Sequence, residues 1–414
     1  MPVDLQVTML FVDQGMGNLV ELVDTASKEI VFRALVDFGS AKTSVCTETV
    51  TWLAKKISTN KKAKLDLLVI SHKDNDHWSL LPKLAEELGE MDHTLEITLA
   101  KHGNKPKEYN KYKSLSEGTK KKRTILEYMS QYQTLDAYPE KASSYVGSPP
   151  SAPIVKSNGV AFKVVTVNVP AGGSAKDIIA NTASLVLAIE GNKSTVMLPG
   201  DATAETCKEL NRILENAKGK LLAKPAFLGV PHHGALRTLA SNYITSDPNL
   251  DVGKKFADTL LPKCIGASAG FSTHRHPSKT VLDLFTTSLS TSTDHPYVQY
   301  DNAEAKWVDP KTKNMVYTTY LNIGPKVKKK KQTAGSNRAN WRFRIDPDGD
   351  LFVLEIPLTG PVPTAAQEIR LTWHGEPVQP PAHSIEPPMR NGRPILMARP
   401  QTPVEPSTTR SDEA

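Results

Sequence analysis

Leu67-Leu68-Val69-Ile70-Ser71-His72-Lys73-Asp74-Asn75-Asp76-His77 joins an almost continuous apolar run to four potential metal ligands within six residues. The apolar half reads as a strand buried on both faces. A helical period resumes at Ser79 and runs to Leu88. The polar half is therefore a loop at a strand-to-helix junction. Such a loop can point His72, Asp74, Asp76 and His77 into one cavity. Without a cation, the crowded carboxylates would repel each other and their desolvation would be uncompensated. A solvated polar turn is the plain alternative for this segment taken alone.

Three further segments repeat the placement. Met197-Leu198-Pro199-Gly200-Asp201 is an apolar strand ending in Gly-Asp, and Val230-Pro231-His232-His233-Gly234 ends a strand in two histidines. His274-Arg275-His276-Pro277-Ser278 precedes a helix over 277–286, with Pro277 in its first turn. Ligand-type residues stand just past a strand or just before a helix each time, which predicts one shared metal site.

Outward from these segments, short strands are expected over Leu5–Phe11, Leu19–Val23, Val31–Asp37, Ala161–Val169, Ser184–Ile189 and Thr195–Leu198, with a further strand ending at Val230. Helices are expected over Thr47–Ile57 and from Ala204 to about Ala217. Trp341–Ile345 and Leu351–Ile356 read as two strands joined by Asp346-Pro347-Asp348-Gly349-Asp350, a hairpin turn rather than a calcium loop, because the distant Glu is missing. Gly15-Met16-Gly17 is too short for a nucleotide loop and reads as a tight turn. Strands alternating with helices give an α/β sandwich.

The chain has 414 residues, 39% apolar and 23% charged, with 30 prolines and 24 glycines. No stretch approaches the roughly 18 apolar residues of a membrane span. The first residues lack the pattern of a secretory signal. Cys46, Cys207 and Cys264 are too few and too dispersed for a disulfide framework and are expected to pack in the core. A cytoplasmic protein is the expectation. The hydrolase domain is expected over 1–358. Within it, an insertion is read at about 103–158, because Lys101 to Arg123 holds nine Lys/Arg against two Glu. A lysine-rich loop is read at about 325–340, and a disordered Pro-rich tail over 359–414. The net charge is +7. Lys120, Lys121, Lys122 and Arg123, with Lys328, Lys329, Lys330 and Lys331, are candidate phosphate contacts, and Tyr109, Tyr112 and Trp341 are candidate stacking partners. Solvated charged loops are the alternative.

The order of these pieces resembles the metallo-β-lactamase superfamily, whose signature is His-x-His-x-Asp-His, then a His, then Gly-Asp, then a late His. More narrowly it is similar to the soluble metallo-β-lactamase domain of ComEC competence proteins. The matching pieces are Val12–Asn18, Ser71–His77, Asn181–Leu187, Leu198–Asp201, Val230–Gly234, His276-Pro277 and Thr293-Asp294, spanning roughly residues 3–300. The membrane segments of ComEC itself have no counterpart. The resemblance implies an αββα fold and a pair of divalent cations, Mn2+ or Zn2+. It implies that His72 and Asp74 hold one ion, Asp76 and His77 the other, and that Asp201 bridges them. His232 or His233, and His276, complete the shells. Asp37 matches the carboxylate that supports the histidine loop, and His295 stands at a pocket position. Two departures stand out: Asp74 replaces the signature's second His, and Asn181 the mid-domain His.

The implied chemistry is attack by a water activated between two cations about 3.5–4 Å apart. Asp76 would steer the water, and a histidine, His233 or His276, would protonate the leaving group. The leading expectation is a phosphodiesterase, a nuclease in particular. The alternatives are hydrolysis of a small ester, lactone or amide, and a binding or scaffold protein with a vestigial site. His93 and His102 lie nearby in sequence and are read as ordinary histidines. Both departures replace nitrogen by oxygen, which favours manganese.

Overall fold

The computed structural model describes residues 1–59, 62–102, 136–137, 153–170, 181–216, 225–240, 249–269, 276–278, 280–282, 284–285, 299–301, 306–308, 316–318, 339–358, 368–371, 389–390 and 393–394. The elements that build the site are β1 (Val3–Met9), β2 (Gly17–Asp24), β3 (Ile30–Phe38), α1 (Thr47–Ile57), β4 (Leu67–Ile70), α2 (Leu81–Glu90), β5 (Ala100–His102), β6 (Val160–Thr166), β7 (Val186–Gly191), β8 (Ser194–Leu198), α3 (Ala204–Asn216), β9 (Pro225–Gly229), α4 (Asp251–Leu260), β10 (Cys264–Ala267), β11 (Ala339–Ile345), β12 (Leu351–Pro357) and β13 (Ile369–Leu371).

Two large sheets carry the fold among the described residues. One runs β13-β12-β11-β1-β2-β3-β4-β5 and ends at a short strand, Asp136–Ala137. The other starts at Val155–Ser157, runs β6-β7-β8-β9-β10 and ends at Val316–Thr318. Alternation along the strands decides how they stack. Val3, Leu5, Val7 and Met9 of β1 share one apolar cluster with Phe162 and Val164 of β6 and with Leu187 and Ile189 of β7, so these faces meet. Leu35, Leu68 and Ile70 on the opposite face of the first sheet pack instead with Val50, Leu53 and Ile57 of α1 and Leu81, Leu84 and Leu88 of α2. Val186, Met197, Leu228 and Ile265 on the far face of the second sheet pack with Cys207 and Leu210 of α3 and Phe256 and Leu260 of α4. The order is helix, sheet, sheet, helix, as expected from the sequence. Burying each such side chain contributes about 1.5–3 kcal/mol, so the sandwich is a stiff base for its loops.

The helices follow from the same pattern. In α1, Val50, Leu53, Ala54 and Ile57 fall at three- and four-residue intervals and are buried, with Glu48 in the first turn and Lys55 and Lys56 in the last. The helix also caps a buried pair: Arg33 Nε lies 3.1 Å from Glu21 Oε1, and the same guanidinium donates to the carbonyl of Ile57. Asp346–Asp350 is the hairpin turn expected, with Gly349 N–H donating to Asp346 O at 3.0 Å. All three cysteines are buried and free.

Parallel pairing matters most for function. β3 pairs with β4 in parallel, as do β8 with β9 and β9 with β10. The carboxyl ends of these strands therefore open on one side, where open α/β sheets place their sites. Asp37, Ser71–His77, Gly200–Asp201, Pro231–Gly234 and Ser268 all lie there.

Three expectations change. The sequence reading missed α4 and β10. Trp341 packs against the inter-sheet cluster, which argues against a stacking role. The segment beyond 358 is not loose throughout, because β13 pairs antiparallel with β12. Just before it, Glu368 Oε2 accepts from Arg344 Nη2 at 2.7 Å and Nε at 2.9 Å, and Oε1 from Arg342 Nη2 at 3.1 Å. Glu368→Ala would remove the carboxylate shared by Arg342 and Arg344, leaving Arg344 with Asp4 at 3.6 Å, and about 1–3 kcal/mol of stability should be lost in chemical denaturation. An unchanged midpoint would mean that these pairs are idle. Val378–Ala414 forms a separate unit, with a small hairpin of Met389–Arg390 and Arg393–Pro394. The insertion clusters Lys120–Arg123 and Lys328–Lys331, with Tyr109, Tyr112 and His295, lie outside the described residues. No described helix is long and apolar enough to cross a membrane.

Candidate metal centre

Asp201 sits at the middle of the site. The turn Pro199-Gly200-Asp201 leaves β8 with Gly200 at φ +55, and a Cβ on Gly200 would lie 2.7 Å from Ser71 Cβ. Only glycine fits that turn against the histidine loop. The Asp201 backbone N–H donates to Ser184 Oγ at 3.2 Å. Its carboxylate, 3% exposed, then faces two groups of side chains.

On one side, Asp201 Oδ1 lies 3.0 Å from His77 Nε2 and 3.6 Å from His233 Nε2, and His233 Nε2 lies 3.6 Å from Asp76 Oδ2. Ligand atoms of Asp76, His77, Asp201 and His233 all fall within 4.8 Å of one another, a grouping that could hold a metal ion. On the other side, Asp201 Oδ2 lies 3.3 Å from His232 Nε2 and 3.8 Å from His72 Nε2, and His72 Nε2 lies 3.7 Å from Asp74 Oδ2. The sequence left open whether His232 or His233 joins the centre. Both rings face Asp201, His233 toward Oδ1 and His232 toward Oδ2, because the backbone turns through left-handed conformations at His232 (φ 46) and His233 (φ 53). The His276 ring centre lies 6.1 Å from that of His232, at the rim of this second group. The Asn181 side-chain nitrogen rests 3.4 Å from His232 Nδ1.

The far nitrogens of the rings fix which atom faces inward. His77 Nδ1 lies 2.9 Å from Asp37 Oδ2, and a carboxylate only accepts, so Nδ1 carries the proton. His233 Nδ1 donates to the Ser268 carbonyl at 2.9 Å. Ser71 Oγ donates to Asp37 Oδ2 at 2.8 Å, which leaves its lone pairs for His72 Nδ1–H at 3.1 Å. In the neutral form of all three rings Nε2 is thereby the lone-pair nitrogen, the tautomer that a metal needs. His72 Nε2, His77 Nε2, His233 Nε2 and Asp201 Oδ1 are buried and have no hydrogen-bond partner; the short approaches to Asp201 lack hydrogen-bond geometry. Buried polar atoms are rarely left so. Four converging orphan atoms, three of them imidazole lone pairs, fit a divalent cation.

Ser71 and Ser184 lie inside the matching segments and Ser268 outside them, and the sequence reading gave none of the three an orienting role. Ser268 Oγ also donates to Gly15 O at 2.8 Å, which ties the Gly15-Met16-Gly17 turn to the floor beneath His233. Thr182, Thr203 and Thr206 form a buried hydroxyl cluster behind Asp201, with Thr182 Oγ1 and Thr203 Oγ1 2.9 Å apart. His93 instead pairs with Ser58 at 2.9 Å, away from the site.

Charge follows the geometry. Burial would lower His77, but Asp201 and Asp37 outweigh it and hold the ring well above the ordinary histidine value. His233 is likewise raised against burial by Asp201 and Asp76. Burial, then repulsion from His77, pushes His72 down to about 3, and burial also lowers His232. Burial would raise Asp201, yet His232, His77 and His233 hold it well below the usual range. The neighbouring His233 and His77 overcome burial at Asp76 in the same way. Asp74 is pushed up to about 6 by burial, then by Asp76.

A pH dependence is expected from these charges. Without metal, protonated His77 and His233 stabilise the fold fully below the ordinary value of about 6.5. That contribution is lost as pH rises through their higher folded values. A cation takes the place of those protons and must displace them, and Asp74 must also ionise. The gain in Tm on adding Mn2+ should therefore grow from about pH 6 to about pH 8, with protons released on binding. Titration calorimetry in buffers of different ionisation enthalpy reads that release; a Tm gain that shrinks with rising pH would contradict it.

No family model and no curated protein matches the chain. Among solved structures, it is similar to the metallo-β-lactamase fold protein YhfI from Bacillus subtilis, at 14% identity and TM-score 0.38, over 68% of this chain and 93% of that one. Human tRNase Z, short form, matches at 10% identity and TM-score 0.32, over 63% and 91%. A diphosphatase of the PhnP family matches at 12% and 0.33, over 67% and 90%. At such distances, function has to be argued from the layer order and the ligand geometry of the chain itself.

Proposed function

We propose that the chain is a metal-dependent hydrolase of the metallo-β-lactamase superfamily, on its ComEC-like branch, and that it cleaves phosphodiesters as a nuclease. The observation that carries the metal reading is the Asp201 carboxylate, one oxygen toward His77 and His233, the other toward His72 and His232. Asp76, His77 and His233 would hold one cation, His72, Asp74 and His232 the other, with Asp201 shared. Two divalent cations held there would supply an attacking water of lowered pKa and offset the charge that develops on a phosphoryl group.

The chain's own groups divide the remaining work. Asp76, ionised and 20% exposed, can accept a hydrogen from the attacking water and aim it. His233, committed through both nitrogens, is a holder rather than a proton donor. His276, at the rim beside His232, is the candidate for protonating the leaving oxygen. In this reading each half counts two imidazoles and two carboxylates, with Asp201 in both. The loss of nitrogen at Asn181 is thus made up by His232, and zinc and manganese both suit the set. The phosphodiester preference rests on the carboxylate-rich centre, the net charge of +7 and the ComEC-like segments.

The test is an assay of metal-stripped protein, resupplied with Mn2+ or Zn2+, on plasmid, single-stranded DNA, RNA, bis(p-nitrophenyl) phosphate and a small ester and lactone. Chelator-sensitive cleavage of a phosphodiester is expected. Turnover of the ester or lactone alone would move the function to small-molecule hydrolysis. Bound metal with no turnover would make it a binding protein.

A further inference from the structure

One peptide unit spans the space between the loops of the two sheets. The Gly15 C=O and the Met16 N–H belong to the same planar group and point in opposite directions. The Gly15 carbonyl accepts from Ser268 Oγ at 2.8 Å, and the Met16 N–H donates to the Asp76 carbonyl at 2.9 Å. Ser268 directly follows β10 in the second sheet, and its own carbonyl accepts from His233 Nδ1 at 2.9 Å. Asp76 stands in the loop after β4 in the first sheet. A path of three hydrogen bonds and one rigid peptide therefore joins the Asp76 backbone to the His233 ring.

The turn that carries this peptide is fastened on both flanks. Gly39 N–H donates to Met16 O at 3.0 Å, Ala41 N–H to Gln14 O at 2.7 Å and Leu10 N–H to Gly17 O at 2.9 Å. A Cβ on Gly15 would run into the Gly39 carbonyl, so glycine alone fits there. Gly15, Met16 and Ser268 are all buried. Removing the Ser268 hydroxyl would thus leave a buried carbonyl short of its donor, and the turn would lose its hold on the second sheet.

What this path fixes is a gap. Asp76 Oδ2 and His233 Nε2 lie 3.6 Å apart, although their loops leave different sheets. The apolar core sets how the sheets stack, but both side chains stand past the strand ends, beyond that core. A ligand pair separated in this way needs its own strut, because metal–ligand distances tolerate only small errors.

We infer that Ser268 is a positioning residue: through the Gly15–Met16 peptide, its hydroxyl sets the spacing between Asp76 and His233 and so the grip on a cation between them. This inference rests on the metal-centre reading proposed above.

The test is Mn2+ binding by the metal-stripped full chain, read by calorimetry and by electron paramagnetic resonance, in wild type, Ser268→Ala and Ser268→Thr. Ser268→Ala alters no ligand and keeps the backbone carbonyl that holds His233, so any loss reads the hydroxyl. Its Kd for Mn2+ should rise about 10–100-fold, and the spectrum of the bound ion should change with its ligand geometry. Ser268→Thr keeps the hydroxyl and should return most of the affinity, with the wild-type spectrum. If the alanine variant does not fold, Ser268→Cys, similar in shape but a weak donor, should show the same loss. Chemical denaturation of the metal-free proteins identifies a serine that only supports the fold: the midpoint falls while Kd and spectrum stay as in wild type. That result, or a folded threonine variant that binds as weakly as alanine, would overturn the positioning role. Wild-type protein that binds neither Mn2+ nor Zn2+ would instead overturn the metal-centre reading itself.

Discussion

Asp201→Ala should lower turnover of a phosphodiester by roughly a thousandfold or more, the equivalent of about 4 kcal/mol of lost charge stabilisation, and should abolish binding of both cations. The size of the effect comes from position. Among the described residues, Asp201 is the carboxylate whose two oxygens face both sets of histidines. The fold should survive. The bond that fixes the turn comes from the Asp201 backbone N–H to Ser184, not from the carboxylate. His77 and His233 lose a charged neighbour but can shed their protons, so no buried charge is stranded. Asp201→Asn keeps the shape and one coordinating oxygen, and should fall between wild type and Ala. An alanine variant with wild-type turnover, or with two ions still bound, would end the bridging role.

The candidate residues were legible because they cluster in short segments that follow strands. His72, Asp74, Asp76 and His77 share one loop after β4, Asp201 follows β8, and His232 and His233 follow β9. The continuous apolar run of β4 marked a strand buried on both faces, and the helical spacing over Thr47–Ile57 and Ser79–Leu88 marked what covers it. Other features had no such signal. The dipeptide His232-His233 looks like two equivalent candidates, and only two successive left-handed residues send the rings to opposite sides of Asp201. Ser71, Ser184 and Ser268 are ordinary residues in sequence, and their role exists only through partners up to 112 positions away. Helix α4 begins two residues after Asn249 without a conspicuous apolar run, and its buried set is only Gly253, Phe256, Ala257 and Leu260. The strand β13 was hidden by the prolines around it, since a three-residue strand is too short for alternation to show.

Asp37 supports the histidine loop from the end of β3, and its amide variant should separate charge from shape. At the end of β3 its backbone takes φ +56, which aims the carboxylate at the histidine loop. Oδ1 accepts from Ser71 N–H at 2.7 Å, and Oδ2 accepts from Ser71 Oγ at 2.8 Å and His77 Nδ1 at 2.9 Å. All three neighbours are donors. An asparagine in the same place carries two hydrogens on one arm, and neither orientation is free of conflict. If the NH2 takes the Oδ2 position, it faces His77 Nδ1–H. Relief then requires His77 to move its proton to Nε2, the nitrogen that must be bare for a metal. If the NH2 takes the Oδ1 position, it faces the Ser71 backbone N–H, a buried donor that cannot turn away. Asp37→Asn should therefore weaken metal binding by about 10–100-fold and lower stability by about 1–3 kcal/mol. The affinity loss should exceed that of Ser71→Ala, which leaves the His77–Asp37 contact in place. Competition with a chromophoric chelator reads the affinity, and chemical denaturation of the metal-free protein reads the stability. If Asp37→Asn binds metal as tightly as wild type, the tautomer of His77 is not set by Asp37, and the support of the centre lies elsewhere.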